Sequence, residues 1–481
     1  MALFKNLLRK EYFFFFISFL ILSFASSLRH FWFHSSSWDL GIFDQAIYLI
    51  SQGQKPFSTL LGFHILGDHG ALVLYPLGFL YKYFSSTYFL FFIQSFALSV
   101  SIFPLYKLSK HLNLSKKATC ASYIALLLYP IVFNVNIFDF HPEVLAFPIV
   151  LDLFISLKIN QVNSLWKLFL KILFILTCKI TNSFLVFGLG IWLIFKGFLK
   201  IGASIICFSI FWFISVAFFL IPYFGGQNAS VIRQVNKFGI SPNLDFNIFT
   251  LIKICNQLFL QIFSLSNLEY IILLCLPVLY LFFSKSRLAF FSNLIPFLPL
   301  LLLNLVSNSY PMKNLVHQYS LFFVPFIAVS IQESLSPRLI QGFLNYPKWF
   351  QIRAPYLIIF WSVLTFLVFS RFSYYLGPFH NHFSSLEARR EAISFIKDSS
   401  AVLTTNDLVP HLSRRKYIKF TDSEKEYNLD NFDEILLDTE KPGWKSNHLY
   451  VDNIYKYLES SNEWEKVYEK NFISLFKKFN Y

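Results

Sequence analysis

Residues 12–33 read YFFFFISFLILSFASSLRHFWF, an apolar run preceded by Lys5, Arg9 and Lys10. A helix over this stretch is about 33 Å long at 1.5 Å per residue, enough to cross the ~30 Å hydrocarbon core of a bilayer. The run is too long for the core of a signal peptide and lacks a small-residue cleavage site, so it reads as a retained first span. Further apolar runs lie near 87–106, 117–134, 144–157, 165–178, 183–195, 201–222, 268–284, 289–305, 319–335 and 354–372, about eleven helices in all. Three have only 13 to 14 residues, so they are expected to be tilted, extended by their flanks or partly re-entrant. Composition agrees: 55% hydrophobic residues, 20% aromatic and 63 Phe describe a polytopic α-helical membrane protein, not a soluble globule.

The net charge of +14 divides unevenly. Residues 1–372 carry 26 basic and 10 acidic side chains, while 373–481 carry 15 and 17. The basic excess therefore belongs to membrane loops, where it sets topology, and gives no support to nucleic-acid binding. Lys5, Arg9, Lys10, Lys107, Lys110, Lys116, Lys117, Lys158, Lys196, Lys200, Lys285, Arg287, Arg338, Lys348 and Arg353 all fall on one side, which the positive-inside rule makes cytoplasmic. The segments 34–86, 135–143, 179–182, 223–267, 306–318 and everything after 372 are then expected outside. The five cysteines lie in or beside apolar stretches without CxxC spacing and read as buried free thiols.

An ionised carboxylate in or near hydrocarbon costs several kcal/mol unless it is paired, solvated or used. Of the ten acids before residue 373, five fall in WDLGIFDQ (38–45), GDHG (67–70) and FDFHPE (138–143). Asp39, Asp44, Asp68, Asp139 and Glu143 are therefore the functional candidates, and all five face the expected outer compartment. The first outer loop, 34–86, is too long for a structureless connection. Ile42, Phe43, Ala46, Ile47 and Ile50 recur at helical spacing, predicting an interfacial helix over 40–50, and 71–84 is predicted to lie on or dip into the membrane. Trp32, Trp38, Tyr81 and Tyr83 fit an interfacial aromatic belt.

After residue 372 the chain holds 32 charged residues in 109. Its pattern predicts a small α/β domain, 373–481: helix 386–397, strands 401–405, 417–420 and 434–438, helix 450–459, and a last strand at 473–476. It has no glycine-rich phosphate loop.

WDLGIFDQAIY, GDHG, LLLYPIVFNVNIFDFHPE and the later LVPHLSRR (408–415) together resemble the bacterial DUF2079 family of predicted membrane proteins, which is similar to the GT-C superfamily of integral-membrane glycosyltransferases. The resemblance implies a GT-C-like architecture in a bacterial plasma (inner) membrane, with an extracytoplasmic C-terminal domain. It also implies transfer of a sugar from a polyprenyl-phosphate carrier to a glycan, lipid or protein acceptor. The acidic position of the GT-C first loop falls on Asp39. Many GT-C enzymes pair two acids closely, whereas here Leu40 and Gly41 follow, so the general base is Asp39 or Asp44.

Such a transfer needs a base for the acceptor hydroxyl and positive charge for the departing phosphate. Asp39 also suits the N-cap of a helix beginning at Leu40, and Asp44 suits a hydrogen bond across the loop. Gln45 is a sugar-hydroxyl or backbone partner. His64, Asp68, His69, Asp139, His141 and Glu143 are ligand-type groups for a divalent cation, Mg, Mn or Zn, or else a polar network pinning two loops. Pro142 is expected to hold His141 extended. Lys179, in CKITNS, is placed to meet a phosphate or to snorkel; the family carries acids just after it, where this chain has Ile180 and Thr181. Arg233, Lys237, Lys313 and His317 are further phosphate candidates. The alternative function is a transporter or flippase of lipid-linked or anionic substrates, for which only Asp152 lies clearly within a span. A noncatalytic assembly role is a third reading.

Overall fold

The computed structural model describes residues 10–161, 164–225, 238, 248–284, 286–336 and 348–479. Lys5, Arg9, Arg233, Lys237, Lys285 and Arg338 lie outside the described residues. The protein is mostly helical. Among the described residues five helices are long and apolar enough to cross a membrane: Lys10–Phe31, Thr87–His111, Leu199–Gly225, Arg287–Leu305 and Ile352–Phe369. Two bent pairs, Lys116–Leu127 with Pro130–Ile137 (43°) and Ile252–Ile262 with Leu265–Leu281 (47°), bring the number to seven if each is one span. The first bend has a local cause, since Tyr129 is extended ahead of Pro130, whose ring clashes with a helical predecessor.

The other apolar runs form helices of 12 to 14 residues, Phe147–Lys158, Leu165–Cys178, Asn182–Phe195 and Phe323–Ser334. Each falls short of the bilayer's thickness, so length supports five to seven spans where apolar runs predicted eleven. Ile248–Ile262, placed in an outer loop by the sequence, is also an apolar helix. On the first helix Phe13, Leu20 and Phe24 are exposed while Phe15 and Leu22 are buried, the one-sided pattern of a helix with a lipid face.

Chain contacts define two compact units. The first comprises Met1–Ser23, Leu66–Val73 and Phe92–Ser373. Two ion pairs tie its helices together. Lys158 reaches Glu333 at 2.8 Å, Asn293 donates to the same carboxylate at 2.8 Å, and Lys171 pairs with Asp152. The five cysteines are free, as expected, although Cys207 and Cys255 are exposed and only Cys178 is fully buried.

The second unit comprises Phe24–Ile65, Leu74–Phe91 and Tyr374–Tyr481. The expected first-loop helix is Ile42–Ser51, and eight of its ten residues are buried, so it is a core helix and not an interfacial one. A short hairpin follows, β1 (Phe57–Ser58) against β2 (Phe63–His64). Helix Leu74–Tyr81 lies directly on Ile42–Ser51 at Gly78, where a Cβ would meet the Ile50 side chain at 2.4 Å. Only glycine permits that approach, and it carries Tyr81 into the interior, away from the predicted aromatic belt.

The same unit holds a five-stranded sheet of β3 (Val402–Thr404), β4 (Ile418–Phe420), β5 (Glu434–Asp438), β6 (Trp464–Lys470) and β7 (Ile473–Lys478). The order is β4-β3-β5-β7-β6, with β3 parallel to β4 and β5, and β7 antiparallel to β5 and β6. Helix His448–Ser460 covers one face through Val451, Ile454 and Leu458, packed on Leu403, Ile435, Leu437 and Phe476. Strand β6 is missing from the sequence reading because WEKVYEK is largely exposed and charged, as suits an edge that must not recruit other strands.

Candidate functional site

In the second unit the WDLG segment begins with extended Ser36, whose Oγ accepts from the Trp38 N–H at 3.2 Å. Ser36 is therefore the N-cap, the role the sequence offered to Asp39. Residues Ser37–Gly41 form one π-helical turn before the regular helix starts at Ile42. Such turns are uncommon and recur at functional sites. Asp39 sits inside this turn and is half-buried. Ser37 anchors the turn through its Oγ, which donates to Asn406 Oδ1 at 2.5 Å.

Asp44 is fully buried. It accepts three hydroxyl hydrogen bonds, from Tyr81 at 2.7 Å, Thr87 at 3.1 Å and Ser413 at 2.6 Å. Burial raises its pKa, opposed by those hydrogen bonds and by the charge of Arg414. Gln45 is equally buried: its Oε1 accepts from Ser58 Oγ at 3.1 Å and Thr59 N at 3.0 Å, and its Nε2 donates to Thr59 Oγ1 at 2.8 Å. Further contacts at 3.4 Å to the Arg415 and Lys416 carbonyls tie its amide to the backbone. The LVPHLSRR segment is thereby explained locally, since Ser413 serves Asp44 and the next carbonyls serve Gln45. His64, on β2, lies 3.5 Å from the Tyr75 hydroxyl. Burial and Lys55 lower its pKa.

The first unit gathers a different set. Residues Leu66–His69 form a single helical turn docked on the end of helix Leu165–Cys178, with Ile180 N donating to His69 O at 3.1 Å and Val73 N to Thr177 O at 3.1 Å. The first glycine of GDHG is required by packing: a Cβ on Gly67 would meet the Gly225 backbone at 2.4 Å. Asp68 and His69 face each other at 3.3 Å.

The FDFHPE segment is held by Gln94, which donates to the Asp139 carbonyl at 2.8 Å and accepts from His141 N at 2.9 Å. Asp139 has φ of 119°, a strained conformation for a residue with a Cβ and a feature that concentrates at functional sites. Pro142 opens a 3-10 turn and His141 before it is extended (φ −134°, ψ 121°), as expected. Glu143, in the first turn, meets Lys179 Nζ at 2.5 Å, with side chains only 4% and 5% exposed. Its second oxygen, Oε2, is buried without a hydrogen-bond partner among the described residues. Lys179 also lies 5.1 Å from the centre of the Tyr319 ring.

Burial opposes ionisation of both partners, but each prevails for the other: the Lys179 ammonium, with His141, holds Glu143 below the usual carboxylate range, and Glu143, with Tyr319 and Asp68, holds Lys179 above its own. His317 takes part through Phe138, whose ring is 4.5 Å from it, and its Nδ1 lies 2.9 Å from Asn314 Oδ1.

The structure thus brings Asp68, His69, Asp139, His141, Glu143, Lys179 and His317 onto adjoining loops of one unit, whereas Asp39, Asp44, Gln45 and His64 belong to the other. Among the described residues no group of three or more His, Cys, Asp or Glu side chains is arranged to hold a metal ion. Of the expected cation donors, His64 is in the second unit and Glu143 is engaged by Lys179. Gln94 and Tyr319 were not anticipated. A lone glutamine in TYFLFFIQSF was the available signal for the first, and nothing marked the second.

The DUF2079 family model, described as a predicted membrane protein, matches residues 29–475. No curated protein sequence matches the chain. The fold is similar to that of ArnT from Cupriavidus metallidurans bound to undecaprenyl phosphate, with a TM-score of 0.56 at 10% identity over 96% of this chain and 97% of that one. The apo form of ArnT from Cupriavidus metallidurans gives a TM-score of 0.52, also at 10% identity, over 95% of this chain and 97% of that one.

Proposed function

The chain belongs to the DUF2079 family of predicted membrane proteins, and from that premise we propose that it is a GT-C-type glycosyltransferase using a polyprenyl-phosphate-linked sugar. The observation that carries the reading is the whole-length likeness to a fold crystallised with undecaprenyl phosphate. In this reading the protein spans the bacterial plasma membrane up to residue 372, with the N-terminus in the cytoplasm, an odd number of crossings and residues 373–481 outside.

The reaction forms a bond between an acceptor hydroxyl oxygen and the anomeric carbon while the bond from that carbon to the carrier phosphate breaks. The hydroxyl proton goes to a carboxylate and the electron pair leaves on the phosphate oxygen. Asp39 is the general base: it is half-buried on a π-helical turn, whereas Asp44 is enclosed by three hydroxyl donors and serves to position the loop. In the first unit Lys179, held charged by Glu143, is a separate candidate to meet a carrier phosphate, which would replace that carboxylate as its partner.

The test is transfer from a panel of radiolabelled polyprenyl-phosphate sugars by the full chain in nanodiscs, beside Asp39→Asn. Turnover falling by about 10²–10⁴-fold in a variant that inserts normally is the expected result for a lost general base. Wild-type turnover by Asp39→Asn overturns the assignment, and binding without any turnover favours a carrier or flippase.

A further inference from the structure

The carboxylate of Glu11 is absorbed by nothing described so far. Its residue is 6% exposed, at the start of the first helix, and it makes no ion pair or side-chain hydrogen bond among the described residues. It lines a cavity of about 850 Å³ together with Lys10, Tyr106, Lys110, Lys116 and Tyr123. All of these belong to the first unit. Tyr123 is fully buried, and among the described residues no partner lies within hydrogen-bonding geometry of its hydroxyl. Lys110 turns to the face of Tyr106, 4.4 Å from the ring centre, and not to Glu11. Lys116 is the first residue of helix Lys116–Leu127, whose N-cap Ser115 accepts from Ala118 N at 3.2 Å, so the positive end of that helix also borders the cavity. Helix Lys10–Phe31 is described from this end, Thr87–His111 ends here and Lys116–Leu127 begins here, so in the topology proposed above the cavity lies at the level of lipid headgroups.

A ligand that fits must satisfy both signs. An anion alone would meet the three lysines but crowd the unpaired Glu11, and a cation alone would meet Glu11 but add to the lysines. We propose that this cavity binds the headgroup of an aminophospholipid, its phosphate on Lys10, Lys110 and Lys116 and its primary ammonium on Glu11 and the Tyr123 hydroxyl. A primary ammonium brings three N–H donors for those two acceptors, which a quaternary choline lacks, and a glycerol headgroup brings no positive charge. The leaflet is the cytoplasmic one in the topology proposed above. The cavity's chemistry does not depend on the transferase assignment.

The experiment is native mass spectrometry of the full chain after equilibration in mixed micelles containing equal phosphatidylethanolamine, phosphatidylglycerol and phosphatidylcholine. Wild type is expected to retain one phosphatidylethanolamine, about tenfold over the other two, a ratio well within one lost ion pair. Glu11→Gln should bring phosphatidylethanolamine down to the level of phosphatidylglycerol, and Lys110→Gln with Lys116→Gln should reduce both. Tyr123→Phe, which keeps the ring, supplies the test if Glu11→Gln does not fold, and should lower phosphatidylethanolamine selectively. Equal retention of the three lipids, or unchanged preference in the first and last variants, overturns the proposal. Soluble phosphoethanolamine displacing the lipid at equal concentration would assign the cavity to a soluble ligand and overturn the membrane assignment.

Discussion

Replacing Glu143 by Gln keeps the volume of the side chain but removes the charge that faces Lys179 at 2.5 Å, where the two side chains are 4% and 5% exposed. Removing one partner of a buried pair costs about 3–5 kcal/mol, because the remaining charge is left desolvated. The amide oxygen still accepts one hydrogen bond, returning about 1 kcal/mol, so Glu143→Gln should destabilise the protein by about 2–4 kcal/mol. Lys179→Gln should lie at the upper end, since it strands the Glu143 carboxylate, whose Oε2 already lacks a partner among the described residues. The double variant should recover most of the loss, giving a coupling energy that identifies the pair.

Function separates the two single variants where stability does not. If the phosphate of the carrier competes with Glu143 for Lys179, Glu143→Gln binds carrier more tightly, by about tenfold for 1.4 kcal/mol of relieved competition, while Lys179→Gln loses binding. Thermal unfolding in detergent read beside carrier binding in nanodiscs measures both. Weaker binding by Glu143→Gln, or two thermally neutral single variants, would refute the reasoning. The pH response follows from the same pair. Glu143 is held below its ordinary pKa, so its contribution is present above the unfolded carboxylate range and is lost as pH falls through the folded value. Lys179 is held above its ordinary pKa, so its contribution is present below the unfolded lysine range and is lost as pH rises through the folded value. The pair's stabilisation should therefore be flat across neutral pH.

Asp44→Ala leaves the hydroxyls of Tyr81, Thr87 and Ser413 without their shared acceptor and should cost about 3–9 kcal/mol at 1–3 kcal/mol for each buried group. Asp44→Asn, which keeps one acceptor oxygen, should cost less than half as much in the same unfolding assay. Gly78→Ala forces a Cβ to within 2.4 Å of Ile50 and should cost about 1–3 kcal/mol by overpacking, with Ile50→Ala in the same chain restoring part of it. Asp152, paired with Lys171, is a structural charge in the transferase reading, so Asp152→Asn should leave sugar transfer within about threefold of wild type while a proton-coupled carrier would lose transport.

The membrane class and most of the helices were legible because apolar runs need no partner to be recognised. The sheet strands at 402–404, 418–420 and 434–438 were legible for the same reason, as short β-branched and aliphatic runs between turns. Strand β6 was not, since an edge strand is selected for charge as much as for pairing. The candidate acids were visible by their rarity, but rarity does not say what an acid faces. Asp44 acquires its partners from positions 37, 43 and 369 residues away, and no local pattern carries that information. Lys179 and Glu143 were each singled out, but their pairing depends on how the ends of two helices are brought together. Helix Ile42–Ser51 was predicted from its periodicity and misplaced at an interface, because the polar residues that break its apolar face, Asp44 and Gln45, are buried by hydrogen bonding and not exposed.

The hydrogen bonds that fix the first loop reach far forward in the chain. Gln45 and Thr59 close on the Arg415 and Ile418 backbone, and Thr59 Oγ1 donates to Ile418 O at 2.7 Å across 359 residues of sequence. At synthesis rates of about 5–20 residues per second, the loop carrying Asp39 and Asp44 waits roughly 20–70 seconds after it is made before the residues that lock it exist. A ribosome that stops short of residue 413 releases a chain that has its membrane helices and its acids but not the Ser413 hydroxyl or the strand edge that order them. Truncated products would therefore insert with the first loop unfixed, and completion of the last seventy residues is the step that orders it.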